Sequence, residues 1–589
     1  MEFIKNMEIK QLSYYINQAK IIKPENNQKK IRIAFVGSFS LNGFEETIQV
    51  QCNDEKINCI TYNSPYNQFT QEILNENSNL YKFKPDIIFL LIDNRIILEN
   101  SFYFSNINSE NKNKKHIDEK INEIKNLIEV FTQKSQSKII IANFVIPTYT
   151  PLGIYESKIE YGIKEIILDL NKKLKELSRN MDSCYVYDFN SFVTKFGEKN
   201  ILDYKKMNYG DIKINFDIIP YLIYDFLGYV KPILGLNKKC LVLDLDNTLW
   251  GNIIGEDGIE GIKIGPYPEG RSFVEFQKVI KALSENGIIL AINSKNNQKD
   301  AMKAINEHPH MILREKDFSC IKINWNDKIS NMREIAKDLN IGLDSIVFFD
   351  DDPTNRELLR MSIPEVNTIE LPKDPSNYAQ ILRNLNDFNV LKITQDDTKR
   401  RIMYEQEQNR QKLESSTENL NEYLKKLNIK IKIKLDDKFS IARISQLILK
   451  TNQFNLTTKR YQEEEIKQFV DDQTIIVGCA EVEDKFGESG ITNVFIIKKN
   501  SKEWVIDTFL LSCRIMGRGI EEAILGEILE IAKDKGIERI KANFILTEKN
   551  QPTKNFLKNY GFEKDGENWI FLLKNKIKIP DYLEIELNE

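Results

Sequence analysis

Asp244, Asp246 and Thr248 stand at alternate positions where the apolar run Cys240-Leu241-Val242-Leu243 gives way to a turn ending in Gly251. Two carboxylates and a hydroxyl converging at one turn suit phosphoryl transfer, with one acid as nucleophile or metal ligand and the other as proton relay. Three later stretches supply what else that chemistry needs. Ser294 ends the run Ile288-Ile289-Leu290-Ala291-Ile292-Asn293 and can hydrogen-bond a phosphoryl oxygen. Lys328 opens the amphipathic stretch Ile329 to Leu339, where a lone ammonium can neutralise phosphate charge. Asp350 and Asp351 end Ile346-Val347-Phe348-Phe349 and can hold a hard cation through oxygen ligands. The blander reading of the first stretch, an Asp- and Asn-rich turn that caps a helix, leaves the later three without a purpose.

Such residues act together only if the chain brings them to one edge of a sheet. Continuous apolar runs suit strands covered on both faces, and in open α/β sheets ligands collect beyond the carboxyl ends of such strands. Taken in order, the four parts resemble the haloacid dehalogenase superfamily of phosphatases. The resemblance implies a Rossmann-like domain over residues 231–390. In it Asp244 attacks phosphorus to form an aspartyl-phosphate, and Asp246 protonates the leaving oxygen and then activates water. Thr248 orients these groups and joins Ser294 and Lys328 around the phosphate. Asp244, Asp350, Asp351 and the backbone at Asp246 are the expected holders of Mg²⁺. The intervals from Asp246 to Ser294 and from Ser294 to Lys328 leave room for βα units but not for a large inserted cap, so the site should be open.

The whole chain, at 589 residues, is too long for one core and should form roughly three or four domains. A net charge of −4 argues against nucleic acid as the main partner. Met1 to Gln11 has no signal-peptide core, and no run approaches the roughly 18 apolar residues that span a bilayer. A cytoplasmic protein without a membrane partner is expected. Seven scattered cysteines without metal-ligand spacing suit free thiols, and three histidines, at 116, 308 and 310, restrict any mechanism that needs an imidazole base.

Before the phosphatase-like domain, Ile31 to Val36, Pro85 to Leu91 and Lys138 to Phe144 alternate with helical segments, predicting a doubly wound, flavodoxin-like domain over residues 1–230. Its Gly37-Ser38 turn resembles the nucleophile turn of SGNH hydrolases. The interval from Asp182 to Pro232 has no histidine to activate that serine, so Ser38 is expected to be inert and the domain to dock or scaffold. Asn106 to His116 reads as a solvated loop. Residues 391–428, with apolar Ile402, Tyr404, Leu413, Leu420, Tyr423 and Leu424, read as a helical linker.

Residues 429–589 read as an α+β domain, with strands at Ile429 to Leu435, Gln473 to Glu481, Gly490 to Lys498 and Glu503 to Ser512. Arg514-Ile515-Met516-Gly517-Arg518-Gly519 then leads into a helical stretch from Glu521 to Lys535. This R-x-x-G-x-G, followed later by Asn550 to Thr553 and Phe556 to Phe562, resembles the GNAT acyltransferases. The resemblance implies a loop whose amides and helix N-terminus bind the pyrophosphate of coenzyme A, with Arg514, Gly517 and Gly519 as the candidates to bind an acyl-bearing phosphopantetheine arm.

In its order of regions the chain resembles the FkbH-like proteins, most specifically at Lys239 to Gly251, Ile254 to Gly258, Thr451 to Thr457 and Ser512 to Arg514. That resemblance implies an enzyme that takes a three-carbon unit from 1,3-bisphosphoglycerate as a thioester, removes its phosphate and loads the glyceryl group onto an acyl carrier protein. Asn252 stands where the family usually has glycine, and Asp352 where it usually has asparagine. For the acyl-bearing thiol, Cys513 ends a strand beside Arg514 and a helix start, which favours a thiolate, whereas Cys240 belongs to a core strand. Two other readings compete: a phosphatase fused to an acetyl-CoA-dependent N-acetyltransferase, and a non-enzymatic scaffold.

Overall fold

Apolar runs and their flanking helices become three sheets in a computed structural model that describes residues 9–23, 28–99, 102, 110–393, 406, 409–410, 413–414, 417, 419–547 and 549–588, with backbone alone at 110–113 and 513. The chain divides into two units, Met7–Val230 and Lys231–Glu589. Among the described residues no helix is long and apolar enough to cross a membrane.

The first unit holds β1 (Lys29–Gly37), β2 (Ile57–Asn63), β3 (Ile87–Leu91), β4 (Lys138–Ala142) and β5 (Cys184–Tyr187). All neighbours are parallel, in the order β2-β1-β3-β4-β5. Phe35 and Phe89 on adjacent strands stack with Phe226 of the helix Ile219–Ile233, the last two rings 4.2 Å apart. The expected loop to His116 is corrected in part: the helix Glu110–Lys134 runs through it, and residues 106–109 lie outside the described residues. Its polar composition hides an apolar stripe, Ile117, Ile124, Leu127, Ile128 and Phe131, that faces the core at helical spacing.

The second unit opens with β6 (Cys240–Leu243), β7 (Ile289–Ser294), β8 (Cys320–Ile323), β9 (Ile346–Phe349) and β10 (Asn367–Thr368), all parallel in the order β10-β9-β6-β7-β8. Strand β6 shows why its sequence is uniformly apolar: Leu241 and Leu243 enter one core, Cys240 and Val242 the other. The order reverses between β6 and β9, which is where ligands bind in such sheets. Helices Ile254–Gly261 and Pro268–Glu285 lie between β6 and β7, and Gln298–Glu307 between β7 and β8.

The third sheet contains β11 (Lys430–Leu435), β12 (Phe454–Asn455), β13 (Ile475–Asp484), β14 (Gly487–Lys498), β15 (Glu503–Leu511), β16 (Arg539–Asn543), β17 (Glu563–Asp565), β18 (Asn568–Leu572) and β19 (Glu584–Asn588). Its order is β17-β18-β16-β15-β14-β13-β11-β19. Strands β15 and β16 are parallel but pair only from Glu503 to Ile506; further along, β12 takes the free edge of β15 at Leu510 and Leu511. The segment expected to bridge domains contributes instead to this core. Tyr423 and Leu424 of the helix Leu420–Leu427 are buried in it, Leu413 packs against it, and Arg410 forms a buried ion pair with Asp484. Leu420 faces solvent, and Ile402 and Tyr404 lie outside the described residues.

Candidate active site

Asp244 directly follows β6, and its N–H continues the ladder by donating to the carbonyl of Phe349 on β9. Asp350 follows β9, so parallel pairing of the two strands at the switch point brings both carboxylates to one sheet edge. Lys328 enters from the helix Lys328–Asp338, whose start is fixed twice: Asp327 caps it by accepting from Ser330 N–H, and Asn293 at the end of β7 donates to the Lys328 carbonyl at 2.8 Å. The lysine Nζ then lies 2.9 Å from Asp244 Oδ2 and 2.5 Å from Asp350 Oδ2.

Asp244, Asp350 and Asp351 bring carboxylate oxygens within 4.8 Å of one another. Burial pushes Asp350 above the usual carboxylate range, and the Asp244 charge adds to it. For the same reasons, with Asp350 contributing, the Asp351 carboxyl is pushed up to about 7. Burial works to lower Lys328, but the two carboxylates outweigh it and hold the ammonium charged. Three crowded acids facing one ammonium are short of positive charge, and an all-oxygen donor set fits a hard divalent cation. Arg356 steadies this loop: it donates to the carbonyls of Asp350 and Asp351 at 2.8 and 2.7 Å while its other side meets Glu370.

Asp246 stays outside the acidic group. Its Oδ1 accepts from Trp250 Nε1 at 2.9 Å and from Ile254 N–H at 3.0 Å, and its Oδ2 from Asn296 Nδ2 at 2.8 Å. Burial nevertheless raises its pKa, with the Asp244 charge contributing. Trp250 is wholly buried, so its ring packs in the core while its N–H serves the carboxylate. Thr248 is also wholly buried, and its hydroxyl accepts from Asp351 N–H at 3.2 Å, which ties the turn after β6 to the acidic loop. Ser294 sits at the carboxyl end of β7, 1% exposed.

The two departures from the family pattern have local explanations. Asn252 adopts a left-handed backbone with φ of 71°, which asparagine tolerates. Its N–H donates to Asn247 Oδ1 and its amide to the Gly261 carbonyl, both at 3.0 Å. Asp352 caps the helix Pro353–Ser362 by accepting from Thr354 N–H.

In the first unit, Ser38 is 4% exposed and its hydroxyl accepts from Asp93 N–H at 2.8 Å. Asp93 pairs with Lys213 at 3.1 Å and Arg95 at 3.0 Å. Among the described residues no histidine is hydrogen-bonded to Ser38.

At the other candidate loop, β15 leads into a short turn, Cys513–Ile515. The Cys513 thiol itself lies outside the described side chains. Arg514 Nε turns back to Ser512 Oγ at 3.3 Å. Gly517 and Gly519 adopt φ of 75° and 76°, and the second is the N-cap of the helix Ile520–Asp534. Asn455 and Leu456, from the Thr451 to Thr457 stretch, line the edge of β15: Leu456 N–H donates to the Phe509 carbonyl at 3.1 Å, and Asn550 Nδ2 donates to the Asn455 carbonyl at 2.9 Å.

The Asp246 holders Trp250 and Asn296, and the loop brace Arg356, were not singled out from sequence. Trp250 and Asn296 lie inside the two strand-end motifs and could have been; nothing in its neighbours marks Arg356.

Residues 32–231 match the family described as FkbH, N-terminal domain. A crystal structure of the N-terminal part of a Bacteroides fragilis protein, containing a phosphatase domain complexed with Mg, is 28% identical over 65% of this chain and 100% of that one, with a TM-score of 0.60. A GNAT-family putative acetyltransferase from Desulfovibrio desulfuricans matches 24% of this chain and 99% of its own at 12% identity, with a TM-score of 0.21. No curated protein matches the chain.

Proposed function

We propose that this FkbH-like chain, a phosphatase-type domain joined to a GNAT-like acyltransferase domain, converts the three-carbon unit of 1,3-bisphosphoglycerate into a glyceryl thioester on an acyl carrier protein. The observation that carries the reading is the arrangement of Asp244 and Asp350 around Lys328, with Asp246 held apart by three N–H donors.

An enzyme thiolate, assigned to Cys513, attacks the acyl phosphate carbonyl; the carbon–oxygen bond to phosphate breaks and inorganic phosphate leaves. Asp244 then attacks the remaining phosphate ester. As the phosphorus–oxygen bond breaks, Asp246 gives its proton to the glyceryl oxygen, leaving an aspartyl-phosphate. Asp246, now ionised, takes a proton from water, which attacks that phosphate and restores Asp244. Lys328 offsets charge on the phosphoryl oxygens throughout. Asp244, Asp350 and Asp351 would hold Mg²⁺, which when bound would supply further positive charge to offset that of the acid and its anionic substrate. Finally the carrier thiol attacks the glyceryl thioester and the enzyme thiol departs.

Intact-mass spectrometry after incubation with 1,3-bisphosphoglycerate, Mg²⁺ and phosphopantetheinylated carrier tests the whole sequence. Glyceryl on the carrier is the expected product. A carrier that stays unloaded, or that bears only phosphoglyceryl, counts against the reading.

A further inference from the structure

The loop from Arg514 to Gly519 has a helix start and two glycines, features that favour a bound anion. In this chain the position is already filled from within. Gly517 N–H donates at 3.1 Å to Oε1 of Glu521, so a carboxylate from the helix's own first turn takes the place of a phosphate oxygen. Glu521 is 7% exposed. Its Oε2, and that of neighbouring Glu522, are buried and find no hydrogen-bond partner among the described residues.

The C-terminal segment then crosses over the same place as a strap between β18 and β19. Tyr560 donates to the Lys578 carbonyl at 2.8 Å, and Tyr582 donates to the Arg518 carbonyl at 3.2 Å. A Cβ on Gly519 would run into the Tyr582 hydroxyl and stand 3.3 Å from Pro580 Cγ, and one on Gly526 would stand 2.6 Å from Ile579 Cγ1. Gly519 and Gly526 therefore admit the strap, whereas a Cβ on Gly517 would meet nothing within 4 Å. Beyond Leu583 the strap is anchored as β19, in parallel register with β11 from Lys430 to Lys434.

We propose that Glu521 and the strap residues Ile579 to Tyr582 are specificity determinants that exclude the diphosphate of free coenzyme A from this loop, so that the domain accepts an arm only when a carrier presents it. Coenzyme A docked by its diphosphate at this loop would meet the Glu521 carboxyl at Gly517 N–H and Pro580 and Tyr582 against Gly519. A carrier-bound arm brings one phosphodiester and draws the rest of its affinity from protein contacts. The carrier clause rests on the function proposed above; exclusion of coenzyme A does not.

Calorimetry on the full chain tests it, with coenzyme A as the probe against wild type, the isosteric Glu521→Gln and, separately, Tyr582→Ala, each shown to be folded by thermal unfolding. Wild type should bind coenzyme A with Kd weaker than about 1 mM, and at least one variant should bind it tenfold or more tightly than wild type. A wild-type Kd tighter than about 1 mM, or no tenfold gain in either variant, overturns the proposal. Carrier loading is measured on wild type in a separate assay, and its failure would remove the carrier reading while leaving the exclusion result standing.

Discussion

Lys328 joins Asp244 to Asp350 through one ammonium, 2.9 Å from the first carboxylate and 2.5 Å from the second. With 6% of the lysine side chain and none of the Asp350 side chain exposed, the charges are shielded from water and depend on one another. Lys328→Met should therefore cost about 3–5 kcal/mol of stability, the range for breaking a buried pair. Chemical unfolding in EDTA measures the loss, and Mg²⁺ should restore part of it by supplying the missing charge. No loss, or one indifferent to Mg²⁺, contradicts the shared-charge account.

Asp244→Asn keeps the side-chain shape while removing the carboxylate to which we assign the attack on phosphorus. Phosphate release from the phosphoglyceryl thioester should fall by about a thousandfold or more, with an unchanged circular dichroism spectrum. Phosphoglyceryl species should accumulate on the enzyme or carrier. Release at the wild-type rate would assign the chemistry to another residue.

Strands β6 and β9 could be read from sequence because burial on both faces leaves each an unbroken apolar run that ends where the carboxylates begin. Edge strands gave weaker signals. Strand β8 carries the half-exposed Ile321 and Lys322, and β10 is two residues long. The helix Glu110–Lys134 was partly hidden by Asn and Lys at its start. At the site, the residue types that bear charge were visible, whereas those that orient them were not. Arg356 acts on backbone carbonyls, and Tyr582 meets the Arg514 to Gly519 loop only through long-range folding; neither relation leaves a spacing pattern.

In the first unit, burial pushes the Asp93 carboxyl up, but Lys213 and Arg95 outweigh it and hold it well below the usual carboxylate range. A depressed folded pKa means that the pair stabilises above the unfolded value of about 3.9, and that this contribution fades as pH falls toward the folded one. Asp93→Asn should destabilise the unit by about 3 kcal/mol near pH 7, with the gap to wild type closing below about pH 4. Hydrogen exchange at β1 and β3, followed by mass spectrometry, reads this unit separately. A gap that stays constant down to pH 2 would refute the pairing.

Ser38 has a buried hydroxyl that accepts from Asp93 N–H and, among the described residues, no imidazole partner. Ser38→Ala should change carrier loading by less than about tenfold, far from the loss that follows removal of a covalent nucleophile. A fluorophosphonate probe should leave wild-type Ser38 unlabelled. Labelling at Ser38, or a loss of several orders of magnitude, would restore the hydrolase reading.

The last prediction concerns the acyl-bearing thiol. Cys52, Cys184, Cys240, Cys320 and Cys479 are buried. Burial pushes Cys184, Cys320 and Cys479 up to about 12 and Cys240 well above its ordinary value, so none of these four supplies a thiolate near neutral pH. Cys59 lies on β2 and is only partly buried. The acyl group is assigned to Cys513, at the turn between β15 and the helix Ile520–Asp534. Incubation with 1,3-bisphosphoglycerate and no carrier should leave a hydroxylamine-labile three-carbon adduct on wild type, and tryptic mapping should find it on the Cys513 peptide. Cys513→Ala should take up no adduct and load no carrier, yet still release phosphate from a small phosphate ester at a rate within about threefold of wild type, because the Asp244 centre is untouched. An adduct on Cys240 or Cys59, or carrier loading by Cys513→Ala at the wild-type rate, would move the acyl group to another thiol while leaving the phosphatase assignment in place.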